Sequence, residues 1–423
     1  MHKLVLKKQS LFLVPTLAPT AEVVWSQVGG DMRSPGGFNI EDAYGWSVAI
    51  DAFGRRVAIG APGDGGVGRV YTYQLKEEWV ILGSEDGLQG DQIGCEFGNS
   101  TDLSDDGMHL AVGARDHSDG RGQASVYAWS NGSWKLRGQP LYGEFRNDNF
   151  GNMVSIAANG LRLAVGAARL DLNENENVGS VKVFEYNETT LEWIQIGQTL
   201  FGEQAHEKFG FSLRLAGSGD VLVVGAPFRH RREELNSRGQ FEWGGCVMAY
   251  EFDGTEWIQL GQTIKHNNPV ERFGWSVDAN VRGYVIAAGA PVNDVGGEAS
   301  GQVRVYEYKS GTNEWVLRGD PIQGQDLGSW FGNTVSLSSD GLKVVSALWC
   351  DNEDEAQCDF GLRMYRYSPQ TRKWVQFGDD LPGKTRYDPY SSSAAMAKDD
   401  TVLMTSVDLE SGETVVQTYK PVF

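Results

Sequence analysis

A tryptophan followed four residues later by a glycine recurs along the chain, and this repeat constrains the fold more than any other feature. The seven pairs are Trp25/Gly29, Trp79/Gly83, Trp134/Gly138, Trp193/Gly197, Trp257/Gly261, Trp315/Gly319 and Trp374/Gly378. An aromatic-glycine pair, a Gly-Ala pair and an alternating apolar segment keep the same register, as in Phe273-Gly274, Gly289-Ala290 and Val303–Tyr308 of the fifth copy. Self-similarity of this kind indicates structural units that stack on one another.

Each copy predicts four short strands and no helix. In the fifth copy, Trp275–Ala279 alternates between apolar and polar residues, Val285–Ala290 is continuously apolar, and Val303–Tyr308 alternates again. Glu314–Leu317 then contains the repeated tryptophan. Such runs between turn residues are strand patterns, and four antiparallel strands repeated around an axis are typical of a β-propeller blade. The sequence therefore predicts an all-β propeller.

The number of strands predicts seven blades. Six complete copies run from Tyr44 to Gly378, and a seventh, Tyr390–Val422, lacks only the tryptophan-bearing strand. A matching strand is found at the other end of the chain, at residues 22–29. Pairing it with the last blade would close the ring and remove two exposed sheet edges. We therefore predict one domain over residues 22–423, a seven-bladed propeller of four-stranded antiparallel blades closed by the N-terminal strand.

Residues 1–21 predict either a signal peptide or a leader outside the domain. Basic residues precede the apolar run Leu11–Ala18, which contains Pro15. A basic region followed by a short apolar run is typical of a secretory signal. The first alternative predicts an extracellular or cell-surface protein, and the second an intracellular soluble one.

Cysteines and glycosylation sequons bear on the compartment. Cys350 and Cys358 bracket a short acidic segment and would close a disulfide in an oxidising compartment. Asn131 and Asn187 begin sequons in predicted turns between third and fourth strands, so a secreted protein is expected to carry glycans there. A third sequon begins at Asn99, in an inner strand, and is expected to be blocked by burial.

The charge balance excludes some partners. The chain has 37 basic and 56 acidic residues and a formal net charge of -19. Such an excess of acid opposes binding to a phosphate backbone, so no nucleic-acid partner is expected. No segment reaches the roughly 18 apolar residues that span a bilayer, so no transmembrane span is expected either. We expect a monomer.

The glycine pattern carries a family resemblance. Phe273-Gly274 followed by Gly289-Ala290-Pro291 resembles the FG-GAP repeat of integrin α-subunit propellers. The pattern recurs over about residues 22–423. Integrin propellers hold calcium in a loop between the first two strands, so the resemblance raises the question of calcium in this chain.

Two segments are candidate calcium sites. The loop between the first two strands of the second copy keeps Asp102, Ser104 and Asp106 but has lost the final acid of the integrin pattern. A second segment, in the third copy, places Asp171, Asn173 and Asn175 at alternate positions, as cation ligands often are, without a glycine turn or a terminal acid. The chain therefore resembles the calcium-free branch of the family. No cofactor is expected, and calcium at either segment stays the alternative.

The long loops predict a binding face. In a propeller, the loops between second and third strands share one face with the links between blades, and loops on a rigid scaffold often bind ligands. The loop of the fourth copy is a basic island that suits an anionic group or an acidic partner; its candidate contacts are Arg229, His230, Arg231, Arg232, Phe241 and Trp243. The alternative is a solvated hairpin whose own glutamates neutralise the arginines. Trp349 opens an acidic loop in the sixth copy that would contact a basic partner or simply be solvated.

A ring of side chains is predicted at the mouth of the central channel. The residue after each aromatic-glycine pair is Trp46, Asn99, Asn152, Phe211, Trp275 or Asn333. Aromatic rings and amides suit the stacking and hydrogen bonding of a sugar, which makes Trp46, Phe211 and Trp275 candidate ligand contacts. Packing between blades explains the same residues equally well.

No catalytic motif is present, so the sequence favours a recognition module over an enzyme. There is no G-x-S-x-G and no H-E-x-x-H. The first hypothesis is a non-catalytic recognition or adhesion module that binds a protein or a glycan through the long-loop face. The alternative is a carbohydrate-active propeller, either lectin-like or acting on a polysaccharide as a lyase or hydrolase.

Overall fold

Seven antiparallel sheets surround a central channel in the computed structural model. It describes residues 23–37, 39–230, 244–265, 271–325, 327–348, 361–382, 394–398, 400–407 and 413–422. The first strands of neighbouring sheets contact one another around a closed ring, and the first strand of the seventh sheet returns to that of the first. The all-β, seven-bladed propeller expected from the sequence is confirmed.

Each blade has four main strands in antiparallel order. Blade 1 contains Ser47–Ile50, Arg56–Ala61, Arg69–Leu75 and Trp79–Ile81. Blade 2 contains Phe97–Leu103, His109–Ala114, Gln123–Ser130 and Ser133–Leu136. Blade 3 contains Phe150–Ile156, Arg162–Ala167, Ser180–Asn187 and Glu192–Gln195. Blade 4 contains Ser212–Leu215, Val221–Ala226, Cys246–Phe252 and Trp257–Gln259.

The remaining blades repeat this order. Blade 5 contains Val277–Ala279, Val285–Ala290, Gln302–Lys309 and Glu314–Leu317. Blade 6 contains Val335–Leu337, Lys343–Leu348, Gly361–Ser368 and Lys373–Gln376. Blade 7 contains Ala394–Met396, Val402–Val407, Thr414–Val422 and Val24–Gln27.

Short elements complete the blades. After each outer strand the chain returns to pair with the third strand; these two-residue strands are Leu88–Gln89, Leu141–Tyr142, Leu200–Phe201, Ile264–Lys265, Ile322–Gln323, Leu381–Pro382 and Met32–Arg33. The helical turns are Ile40–Asp42, Asp64–Gly66 and His117–Gly120. No helix within the described ranges is long and apolar enough to cross a membrane.

The N-terminal strand closes the ring. Val24–Gln27 pairs antiparallel with the end of Thr414–Val422, with Trp25 opposite Pro421. The indole Nε1 of Trp25 donates a hydrogen bond to the carbonyl of Asp379 in blade 6, at 2.9 Å. The strand therefore joins blade 7 by its backbone and contacts blade 6 by its tryptophan, as the strand count predicts.

The repeated tryptophans pack between blades. Trp315 is 3% exposed, lies against the Cα of Gly261 in the preceding blade, and donates from Nε1 to the carbonyl of Leu260 at 2.7 Å. The glycine is needed because a Cβ at that position would press on the indole ring. This explains the tryptophan-glycine spacing as a contact between adjacent blades.

The aromatic-glycine and Gly-Ala pairs also meet between blades. Gly289 of blade 5 lies so close to the carbonyl oxygen of Gly332 in blade 6 that a Cβ on Gly289 would overlap with it. Gly332 itself has φ +93, and the Asn333 N–H bonds to the carbonyl of Trp330 at 2.9 Å, as in a type II turn with glycine at its third position. One glycine is therefore required by proximity and the other by backbone conformation.

Substitution of Gly289 tests this contact. Gly289→Ala is expected to destabilise the protein by about 2 kcal/mol, because the added methyl group forces neighbouring backbones apart. Gly311→Ala is the matched control, since nothing lies within 4 Å of its Cβ position, and it should leave the melting temperature unchanged or slightly raised. Chemical denaturation measures both; equal stabilities for the two variants would contradict the proposed contact.

The turns between first and second strands are tied together at one end of the channel. The Ala52 N–H bonds to the carbonyl of Asp105, that of Asp105 to Ala158, and that of Ala158 to Gly217, at 3.0–3.1 Å. The Lys398 N–H of blade 7 bonds in the same way to Ala52. These bonds run from blade to blade and fix the shape of this end of the channel. The loops that vary between blades lie at the opposite end, which we call the channel mouth.

Candidate functional site

A cavity of about 670 Å³ runs along the channel and is lined by first strands of all seven blades. One position of the repeat contributes a lining residue from every blade. It lies five residues after the aromatic of each aromatic-glycine pair, or after Tyr390 in blade 7, and the residues there are Ala49, Asp102, Ser155, Arg214, Asp278, Ser336 and Ala395. The position is small or polar in every blade. Charge is confined to three of the seven.

Arg214 bridges two aspartates across this level. Its Nη1 lies 3.2 Å from Oδ2 of Asp102 in blade 2, and its Nε lies 3.2 Å from Oδ1 of Asp278 in blade 5. Burial alone would lower the pKa of Arg214, but the two carboxylates outweigh it and raise that pKa above its ordinary value. The Arg214 side chain is still 37% exposed and lines the cavity.

The two aspartates also join neighbouring blades. Oδ2 of Asp102 accepts hydrogen bonds from the Ile156 N–H at 2.8 Å and from Ser155 Oγ at 3.0 Å. Asp278 accepts the equivalent bonds from Leu337 and Ser336 of blade 6. Burial raises the pKa of Asp278, with Arg214 opposing that shift. The triad of Arg214, Asp102 and Asp278 thus connects blades 2 to 6 through the channel.

The candidate calcium ligands of blade 2 face different partners. The Asp102 carboxylate faces Arg214, whereas Ser104 Oγ donates to Asp106 Oδ1 at 2.6 Å within the hairpin turn. Asp106 also accepts the Met108 N–H. Burial alone would raise the pKa of Asp106, but the hydrogen bonds from Ser104 and Met108 outweigh it and lower that pKa. The structure thus does not bring the three oxygens to one point, because Asp102 lies on the strand and the other two close the turn.

The candidate calcium segment of blade 3 is a tight loop. Asp171 Oδ1 accepts the Asn177 N–H at 2.7 Å, and Leu172 and Asn175 exchange backbone hydrogen bonds. Asn173, at the tip, has φ +50. The Asp171 carboxylate therefore closes the loop. Within the described part of the chain, no group of three or more His, Cys, Asp or Glu side chains is placed to hold a metal ion.

Three aromatic rings cluster at the channel mouth. The ring centroids of Phe211 and Trp275 are 4.7 Å apart, and Phe228 lies 5.8 Å from Phe211 and 6.0 Å from Trp275. Trp275 is only 7% exposed, and it packs beneath Phe211 and Phe228, which are half-buried. Two of the residues expected at the mouth therefore meet, and Phe228, from the loop of blade 4, joins them. We call these three residues the aromatic cluster.

Trp46, the third aromatic expected at the mouth, stands apart from the aromatic cluster. It also lines the cavity, and the guanidinium of Arg115 lies 5.9 Å from its ring centroid. Arg115 pairs with Glu96 at 2.6 Å. Burial raises the pKa of Glu96 even though Arg115 opposes the shift.

Three cations surround the aromatic cluster. Lys208 Nζ lies 4.5 Å from the Phe228 centroid, and the Arg272 guanidinium lies 5.5 Å from Phe228 and 5.4 Å from Trp275. Arg169, exposed at the end of the second strand of blade 3, lines the same cavity. Burial lowers the pKa of Lys208, and repulsion by Arg169 and Arg272 adds to the shift. We call Arg169, Lys208 and Arg272 the cation cluster. None of the three forms an ion pair with any residue that the structure describes.

The amides expected at the mouth serve packing. Asn99 Nδ2 donates to the carbonyls of Gly151 and Asn152 in the next blade, at 3.2 and 3.1 Å, and its Oδ1 accepts the Arg115 N–H. Asn152 likewise donates to two carbonyls of blade 4, and its Oδ1 accepts the Ala168 N–H of its own blade. Asn99 is 6% exposed, which agrees with the expectation that its sequon is buried.

The basic island of blade 4 is only partly described, and its first arginine has a structural role. Arg229 is 7% exposed and forms ion pairs with Glu203 and with Glu207, the latter at 3.5 Å. The expectation that Arg229 is an exposed ligand contact is therefore corrected. The His230 N–H donates to Gln204 at 3.1 Å. Outside the described residues lie Arg231, Arg232, Phe241, Trp243, Trp349, Cys350 and Cys358.

The two accessible sequons lie where the sequence places them. Asn131 is exposed in the turn between the third and fourth strands of blade 2. Asn187 ends the third strand of blade 3, and its side chain accepts the N–H groups of Thr189 and Thr190. Their glycosylation and the compartment stay predictions.

The cation cluster was missed in the sequence, although the repeat contains a signal for it. Lys208 and Arg272 immediately precede an aromatic-glycine pair, and both have φ +54. The residues at this position are Ala43, Glu96, Asn149, Lys208, Arg272 and Trp330. All six have positive φ, a conformation that is uncommon outside glycine and that marks this position as a fixed feature of the repeat. Alignment of the blades on this position would have located the mouth residues.

The fold is similar to that of solved propeller structures. One is a protein of Bacteroides uniformis assigned as a 6-phosphogluconolactonase, with TM-score 0.54, 10% identity, and coverage of 80% of this chain and 85% of that one. Another is a periplasmic gluconolactonase of Pseudomonas aeruginosa, with TM-score 0.50, 15% identity, and coverage of 79% and 84%. No protein-family model matches the sequence, and no curated protein sequence matches it.

These comparisons change the functional expectation. Both structures bear the names of carbohydrate lactonases and not of adhesion modules, and the expectation of a non-catalytic recognition or adhesion module was wrong. At 10% and 15% identity the similarity shows the fold alone, and an activity comes to this chain only as a proposal. The resemblance to FG-GAP repeats is neither supported nor excluded and stays a prediction.

Proposed function

We propose that this protein is a carbohydrate-active enzyme that binds a sugar at the channel mouth and hydrolyses a sugar lactone. The aromatic cluster at the opening of the 670 Å³ cavity is the observation that carries the proposal. Sugar rings stack on aromatic faces, and pockets for small ligands combine such faces with a few polar groups. The names of the similar propellers point to the lactone as the reacting group.

The cavity supplies positive charge for this reaction. Attack of water on a lactone carbonyl forms an oxyanion, which is stabilised by fixed cations or hydrogen-bond donors. Arg115 and Arg214 both line the cavity and are held in place by carboxylates. A cation that is already oriented does not have to reorganise as the oxyanion develops.

A lactonase assay tests the proposal. The purified protein should hydrolyse glucono-1,5-lactone faster than the spontaneous rate measured in the same buffer, as followed by proton release. Binding of sugars in calorimetry without turnover would instead support the lectin-like form of the carbohydrate-active alternative. Absence of both turnover and sugar binding would overturn the proposal.

Phe211 is the residue whose removal should weaken sugar binding. Phe211→Ala is expected to reduce the affinity for a bound sugar about tenfold, because the ring loses its stacking surface while Trp275 remains. Phe53→Ala is the control, since Phe53 is 56% exposed in a turn at the far end of the channel. Equal affinities of the two variants in calorimetry would exclude the aromatic cluster as the sugar site.

A further inference from the structure

The positive charge at the mouth contrasts with the rest of the molecule. The chain has a net charge of -19, yet three successive blades bring Arg169, Lys208 and Arg272 together here. Arg169 and Lys208 line the cavity, and the Arg272 guanidinium lies 5.5 Å from the ring centroid of Phe228, which also lines it. The other cations that line the cavity have carboxylate partners: Arg115 pairs with Glu96, Arg214 with two aspartates, and Lys398 with Asp105. The three residues of the cation cluster have no carboxylate partner among the residues that the structure describes.

The cation cluster is unfavourable for the unliganded protein. Lys208 is half-buried, lies over Phe228, and is repelled by Arg169 and Arg272, which together lower its pKa. Uncompensated like charges in a cleft are more common at functional sites than elsewhere, because a ligand supplies the missing charge.

We propose that the cation cluster binds an anionic substituent, a carboxylate or a phosphate, of the sugar that stacks on Phe211. This rests on the proposed function, and it adds the chemical class of the substrate: an acidic or phosphorylated sugar. Arginine and lysine bind both groups by charge-assisted hydrogen bonds, and Phe228 holds Lys208 and Arg272 beside the aromatic cluster. The sugar ring would thus contact the aromatic cluster, and its charged group would contact the adjacent cation cluster.

Calorimetry with matched sugars tests the anion site. Glucose, glucuronate, glucose 6-phosphate and inorganic phosphate are each titrated into the protein at constant ionic strength. We expect at least one of the two anionic sugars to bind at least tenfold more tightly than glucose, and the preferred one identifies the substituent as a carboxylate or a phosphate. Equal affinities for glucose and both anionic sugars, or no binding of any of the four probes, would overturn the proposal.

Charge-removing variants locate the site. Lys208→Gln and Arg272→Gln should each weaken binding of the preferred anionic sugar about tenfold and leave the affinity for glucose unchanged. Lys135→Gln removes the same charge from an exposed outer strand and should change neither affinity. An equal loss for glucose and the anionic sugar in both cluster variants would indicate a structural effect and count against the anion site.

The pH dependence gives a second readout. The charged groups that act on Lys208 are Arg169 and Arg272, and arginine does not titrate in the accessible range. Because the pKa of Lys208 lies below the usual 10.5, anion affinity should fall as pH rises, starting below that value. Lys208→Arg keeps its charge and should bind the anionic sugar without this fall. A wild-type affinity that does not change up to pH 10.5 would contradict the role of Lys208.

The two proposals can fail separately. Lactone hydrolysis at equal rates for neutral and anionic sugar lactones would leave the proposed function standing and remove the anion site. Tight binding of an anionic sugar that Lys208→Gln abolishes, with no turnover of any lactone, would leave the anion site standing and remove the lactonase.

Discussion

Removal of residues 1–29 should abolish the cooperative unfolding of the propeller. The deletion takes away the outer strand of blade 7 and with it the four residue pairs between Val24–Gln27 and Thr414–Val422. It also removes Trp25 from Gly378 and from the edge of Phe377, 6.4 Å away. Lost strand pairing and a lost tryptophan together amount to about 5 kcal/mol or more, which is comparable to the total stability of many domains.

A peptide added in trans separates ring closure from simple truncation. A synthetic peptide of residues 23–29 should restore a single cooperative transition to the truncated protein, because it can add to the exposed edge of Thr414–Val422. The same peptide with Trp25→Ala should restore it only weakly. A truncated protein that melts as sharply and at the same temperature as the full chain would show that this strand does not close the ring.

The sequence predicts the ring well because its signals are local and repeated. A tryptophan that packs on a glycine of the preceding blade has to recur once per blade, so seven occurrences define seven blades. The same logic placed the missing strand at 22–29, and the structure pairs Val24–Gln27 with the last blade. Repetition compensates for weak strand signals in single copies, such as the short first strand of blade 7.

The site was predicted less completely because its residues vary from blade to blade. Phe211 and Trp275 were found as members of a repeat position, whereas Lys208 and Arg272 occupy a neighbouring position that is alanine, glutamate, asparagine or tryptophan in the other blades that carry an aromatic-glycine pair. A binding site in a symmetric scaffold is formed where the symmetry is broken. Comparison of the blades at each position, rather than the search for a motif, is therefore the method suited to such a fold.

The misassignment of Arg229 has a different cause. In the sequence it belongs to a run of basic residues and reads as exposed charge. Its partners Glu203 and Glu207 lie in the link before blade 4, more than twenty residues earlier, and only the folded chain brings them together. Charge patterns along a loop therefore do not show which charges are already neutralised.

Replacement of Arg214 by methionine should destabilise the protein because it leaves two carboxylates facing each other in the channel. Removal of one partner from a buried ion pair costs about 3–5 kcal/mol, and the 37% exposure of Arg214 places the expected loss nearer about 2–3 kcal/mol at pH 7. Arg146→Met is the control, since Arg146 pairs with Asp119 at the surface and its loss should change stability little.

The pH dependence of Arg214→Met follows from the sign of the carboxylate shifts. Burial raises the pKa of Asp278, and without Arg214 nothing in the triad opposes that rise. A carboxyl whose folded pKa lies above the unfolded value of 3.8 favours the folded state when protonated, so the destabilisation should be full at pH 7 and shrink as pH falls toward 4. Urea unfolding at several pH values measures this. A loss of stability that is independent of pH would mean that packing, and not charge, is what Arg214 contributes.

A triple variant completes the test of the triad. Asn in place of Asp102 and Asp278 keeps a side-chain carbonyl to accept the Ile156 and Leu337 N–H groups but removes both negative charges. Arg214→Met combined with these two substitutions should therefore recover most of the stability that Arg214→Met alone loses, because no unpaired charge remains in the channel. A triple variant that is less stable than Arg214→Met would contradict this explanation. It would mean that the charged carboxylates of Asp102 and Asp278 stabilise the contacts between blades even without Arg214, and that repulsion between the two carboxylates does not destabilise Arg214→Met.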